Sequence, residues 1–165
     1  MRSGFTLVEL IVVTGIILLF SALVFPNFRQ GEKNLALERS ATKLVQDLSR
    51  IREMAMSAKE FTGAPATFKG SYGIKFETNS SNYILFADLD NDQILDSGEA
   101  IESPALEKKV KISVLSPASP LIITFTPPDP TTNINVVASL ATITLTNDSR
   151  SKNIKVNKSG LVNIE

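Results

Sequence analysis

Polar and apolar positions divide the chain into three stretches with different periodicities. Residues 5–25 are apolar-dominated, and Glu9 is the only ionisable side chain among them. As a helix rising 1.5 Å per residue, such a run reaches roughly 30 Å, the thickness of a bilayer's hydrocarbon core. Arg2 precedes it, and Arg29 and Lys33 follow. The pattern predicts a transmembrane helix over 5–28. Over 29–60 the apolar residues thin out to Leu37, Ala41, Leu44, Leu48, Ile51 and Ala55, recurring at spacings of three and four. Glu38, Arg39, Lys43, Asp47, Arg50, Arg52 and Glu53 mostly take the other faces, so an amphipathic helix laid against a sheet is expected. Pro26 is expected to kink or open the helix between the two stretches, because its ring clashes with the preceding turn.

From residue 61 the code changes. Gly63, Pro65 and Gly70 break the helical pattern, and short strand-like runs follow. These are YGIKFE (72–77), NYILFAD (82–88), KVKISVL (109–115), LIITFT (121–126), ATITLTN (141–147), NIKVN (153–157) and LVNIE (161–165). NKSG (157–160) reads as the hairpin turn between the last two, and TPPDPTT (126–132) as a loop. The predicted class is α+β: a long N-terminal helix packed on an antiparallel β-sheet domain.

Glu9 decides between readings of the first stretch. A charge inside a membrane segment costs on the order of 2–3 kcal/mol even on lenient scales, so it calls for a reason. A secretory signal peptide would have a shorter apolar region, no acid and a small-x-small cleavage site after it. A plain signal anchor leaves Glu9 equally unexplained.

The run GFTLVELIVV (residues 4–13) resembles the N-terminal signature of type IV prepilins and type II secretion pseudopilins. In that family a short basic leader ends in glycine, here Gly4, and prepilin peptidase cuts after it. The new terminal residue, here Phe5, is N-methylated, and the family's glutamate at the fifth mature position falls on Glu9. The resemblance implies that Glu9 pairs with the Phe5 amine of a neighbouring subunit during assembly. It also implies a leader (1–4), a transmembrane and assembly helix (5–28), its amphipathic half (29–60) and a periplasmic or extracellular β domain (61–165). The ending SKNIKVNKSGLVNIE (151–165) resembles that of the FimT-like or GspH-like minor pilins and pseudopilins. Some relatives carry a basic residue after the glycine, linked to DNA binding; here Leu161 follows Gly160. The implied partners are other pilin subunits, prepilin peptidase and an inner-membrane assembly platform. The implied location is a single pass through the inner membrane, with the C-terminal domain outside the cytoplasm.

Composition narrows the chemistry. Among 165 residues, 17 basic and 17 acidic side chains balance, so no global field draws the protein to nucleic acid. Without cysteine or histidine there are no disulfides, no Cys/His zinc sites and no Cys- or His-based catalysis. No Ser/Lys or carboxylate pair is marked as catalytic, and an enzyme is not expected.

Two polar clusters remain. DLDNDQILDSGE (88–99) places Asp88, Asp90, Asp92, Asp96 and Glu99 at positions 1, 3, 5, 9 and 12 of an EF-hand-type loop, with the Ile94 carbonyl at position 7. Calcium suits those hard oxygen donors. Gln93 stands where glycine normally makes the sharp turn, so strain is expected there. A solvated acidic loop is the other reading, since Asp and Asn are ordinary turn residues. Arg150, Lys152, Lys155 and Lys158 form a basic group across the final strands. Solubility and edge protection explain it, and phosphate contact by a DNA-capturing minor pilin is the alternative. A membrane-anchored calcium-binding domain outside any filament is a third reading of the whole chain.

Overall fold

The computed structural model describes residues 4–62, 68, 70–127, 132–136, 138–147 and 149–165, with backbone alone for 23–29. Gly63 and Pro65, read as helix breakers, and most of the TPPDPTT loop lie outside these residues. The architecture is α+β with antiparallel sheets. Two compact units divide the chain, Met1–Leu35 and Ala36–Glu165. Helix α1 (Leu7–Met56) starts in the first and ends in the second. It is one uninterrupted element across residue 26, so Pro26 does not end it.

The first unit corrects the membrane expectation. Among the described residues no helix is long and apolar enough to cross a membrane. The transmembrane segment over 5–28, and with it the single-pass inner-membrane location, is therefore not upheld.

The second unit is built on the helix face that the spacing marked out. Leu37, Ala41, Leu44, Leu48, Ile51 and Ala55 are all buried, at 2% exposure or less. The helix stops at Met56, where the chain turns back: Ala58 takes φ 45 and the Lys59 amide donates to the Met54 carbonyl. Satisfying a last-turn carbonyl through a left-handed residue is a common helix ending.

Two sheets complete the unit. The first contains β1 (Tyr72–Phe76), β2 (Ile84–Ala87), β3 (Ala100–Glu102), β5 (Leu121–Phe125) and β6 (Thr132–Ile134), in the order β3-β2-β1-β5-β6. The second contains β4 (Lys111–Ser116), β7 (Leu140–Thr146), β8 (Ser151–Asn157) and β9 (Val162–Ile164), in the order β4-β7-β8-β9. Ile74 of β1 faces Leu85 of β2 and Ile123 of β5, while Ile143 of β7 faces Ile154 of β8. On β7 and β8 the alternation is plain, with Ala141, Ile143, Leu145, Ile154 and Val156 turned into the core. These strands, the helix face and the first sheet share one core.

Every run read as a strand overlaps one, and among the described residues the two that escaped prediction are β3 and β6. Each has three residues and sits at an edge of its sheet. Neither AIE nor TNI stands out as an apolar run, and pairing on one side alone makes them strands. The 157–160 turn forms as expected: the Gly160 amide donates to the Asn157 carbonyl, and Gly160 has φ 73. At Gly73 close approach is what demands glycine, since a Cβ there would lie 2.5 Å from the Phe86 ring.

Candidate functional site

At the N-terminal end of α1, Thr6 and Glu9 form a capping box. The Thr6 hydroxyl accepts from the Glu9 amide at 3.2 Å, and Glu9 Oε2 accepts from the Thr6 amide at 3.4 Å. The T-x-x-E spacing satisfies two helix-end donors reciprocally, and an acid in the first turn also favours the helix dipole. The T-x-x-E spacing at Thr6 and Glu9 is the sequence signal for this local partner. Gly4 is exposed, and a Cβ there would meet nothing within 4 Å, so packing does not require glycine at that position. Arg2 lies outside the described residues.

Beyond the cap, α1 shows apolar surface. Phe5, Leu7, Val8, Leu10, Ile11, Val12, Val13 and residues 16–20 are exposed, Phe5 to 83% and Leu18 to 70%. Consecutive helical residues step 100° around the axis, so this apolar surface runs all the way round.

The acidic loop joins β2 to β3. Both flanks are strands, and the pairing of Ala87 with Glu99 (amide to carbonyl, 2.9 Å) closes its base. Asp88 at its entrance is fully buried, while Asp90, Asp92 and Asp96 are exposed. Asp88 Oδ2 accepts from the Gln93 amide at 3.2 Å. Asp90 Oδ1 accepts from the Asp92 amide, and Asp92 Oδ1 from the Ile94 amide at 2.7 Å. Glu99, also buried, braces both ends, with Oε1 accepting from the Leu89 amide at 2.7 Å and Oε2 from the Asp96 amide at 2.8 Å. The strain expected at Gln93 is present: its φ is 67, and that of Asn91 is 64. A left-handed residue other than glycine costs roughly 1–2 kcal/mol, less for Asn.

These bonds gather the carboxylates. Oxygens of Asp88, Asp90 and Glu99 lie within 4.8 Å of one another, as do those of Asp90, Asp92 and Asp96. Asp90 belongs to both groups. Burial pushes the Asp88 carboxyl up from its ordinary value, Glu99 and Asp92 push the same way, and the Gln93 and Asn91 amides oppose them. Asp88 Oδ1 and Asn91 Oδ1 are buried and have no hydrogen-bond partner. Asn91 was not among the candidates, because nothing in an Asx-rich loop marks which amide turns inward.

The basic group does not form one face. Alternation along β8 puts Lys152 on the side of Ile154 and Val156, and Lys155 on the other. Lys152 pairs with Glu38 of α1 at 2.6 Å, and Lys155 with Glu165 at 2.6 Å. Arg150 and Lys158 are exposed beyond the two ends of that run. Ion pairs of this kind offset part of the positive charge on Lys152 and Lys155.

One buried polar pair lies between helix and sheet: the Tyr83 hydroxyl donates to Asp47 Oδ2, with Tyr83 at 1% exposure. Burial, then the bond to Asp47, raises the Tyr83 pKa. No protein-family model matches this chain, and neither does any curated protein or solved structure.

Proposed function

We propose that the chain is a structural subunit of a filament of the type IV pilin class, a minor pilin or a pseudopilin, which assembles through its N-terminal helix. The observation that carries this reading is the helix surface over residues 7–20, exposed and apolar on all sides. A helix that is hydrophobic all round is stable only when covered, and among the described residues of one chain nothing covers it. Copies of the same helix, bundled along a filament axis, bury all its faces at once. In this reading α1 is the pilin-type stalk.

The sequence around the helix start supports the same reading. Gly4 has no packing reason to be glycine, and it stands where a prepilin leader would end. Cutting there leaves an α-ammonium on Phe5, which methylation keeps charged. Glu9 lies one turn away. In the monomer it caps its own helix through Thr6; within a bundle its carboxylate is the one charge available to a neighbour's amine. A buried carboxylate is costly alone and satisfied when paired, so it would select the register in which subunits join.

Intact mass of the chain, expressed with and without a prepilin peptidase, tests the proposal. The expected product has lost residues 1–4 and gained one methyl group. An uncut chain in the presence of active peptidase overturns the reading.

A further inference from the structure

Two oxygens buried in the 88–99 loop lack the donors that buried oxygens require. Asp88 is fully buried, and its Oδ1 has no hydrogen-bond partner; Asn91 Oδ1, three residues on, is in the same position. Buried polar atoms are almost always paired, and an anionic one without a donor is strongly disfavoured unless a cation stands in. Asp88 is also one corner of the carboxylate triad with Asp90 and Glu99, whose oxygens lie within 4.8 Å of one another.

We propose that this loop is a divalent-cation site, with calcium as its ion and Asp88 and Asp90 as its central ligands. Asp90 links the inner triad to the outer one formed with Asp92 and Asp96. Glu99 is held in place by the amides of Leu89 and Asp96, each of which leaves its oxygen a second lone pair for the ion. The Ile94 main-chain carbonyl is the remaining donor, at position 7 of the loop. All of these donors are oxygens, which favours calcium or magnesium over zinc and copper. Calcium accepts six to eight oxygens in irregular geometry, whereas magnesium demands a near-ideal octahedron. The ion would relieve repulsion among five carboxylates and tie β2 to the three-residue edge strand β3. This inference stands independently of filament assembly.

Calorimetric titration of the full-length chain, stripped of metal and kept in mild detergent, tests it. The probes are calcium chloride and magnesium chloride, with thermal melting read in parallel. Saturable calcium binding is expected with Kd on the order of 10⁻⁴ to 10⁻³ M, accompanied by a higher melting temperature. Asp90→Ala changes an exposed side chain, so the fold is retained, and calcium affinity should fall by at least ~tenfold. Asp88→Asn keeps the shape, removes the charge and should weaken binding similarly. No calcium heat and no melting shift at about 10 mM overturns the site, because that range covers even weak extracellular modules. Equal affinity in the parent and Asp90→Ala also overturns it, and equal affinity for magnesium overturns the choice of calcium.

Discussion

Glu9 caps its own helix through Thr6, and in the proposed filament it would also pair with a neighbour's amine; the two roles depend on different properties of its side chain. The capping box needs only an acceptor at the third helical position, and Gln supplies one as well as Glu. Pairing with an ammonium needs the negative charge. Glu9→Gln should therefore leave the helix content of the chain unchanged by circular dichroism while sharply reducing its incorporation into filaments. Removing one partner of a buried ion pair costs on the order of 3–5 kcal/mol, enough to exclude a subunit from a register it would otherwise adopt. Full incorporation of Glu9→Gln would leave capping as the whole role of the residue.

Between elements, the Tyr83–Asp47 bond joins the stretch leading into β2 to α1 in the core. Its proton is held more tightly in the folded chain than in the unfolded one, where a tyrosine titrates near pH 10. For a group whose folded pKa is raised, the stabilisation is complete below the unfolded value and is lost as pH climbs past it. Stability should thus fall from about pH 10 upward, by at most ~1.4 kcal/mol per pH unit for this group. Tyr72, raised by burial, acts in the same direction. Urea midpoints between neutral pH and pH ~11 check this, and Tyr83→Phe should flatten the alkaline decline. The same substitution leaves Asp47 buried without its donor, so stability at neutral pH should drop by roughly 1–3 kcal/mol. An alkaline limb unchanged in Tyr83→Phe would refute the assignment.

For the molecule as a whole, the hydrophobic core begins with the residues of the second unit. Among the described residues Leu37 is the first in the buried core, and the helix face and both sheets of the second unit make up that core. A chain comprising residues 36–165 should therefore fold, stay monomeric in sedimentation, and melt close to the full-length protein. The full chain should self-associate through its exposed apolar helix surface, as large apolar patches do. Equal monomer behaviour of the two chains would show that residues 7–20 take no part in association.

Periodicity was enough to place the amphipathic face from Leu37 to Ala55 and the alternating strands β7 and β8, while β1, β2 and β5 were legible as short apolar runs, buried almost throughout. The acidic loop was equally legible, down to the strain at Gln93, since ligand spacing and the demand for a left-handed turn are local properties. β3 (AIE) and β6 (TNI) do not stand out as apolar runs, so they came into being only through their neighbours. Burial is likewise a tertiary fact: it set Asp88 and an Asn91 oxygen inside the loop and left Asp90 out. The same alternation that made β8 readable put Lys152 and Lys155 on opposite sides, where Glu38 and Glu165, distant and near in sequence, pair with them. Charge balance within the folded unit depends on which side chains meet, and only the packed structure decides that.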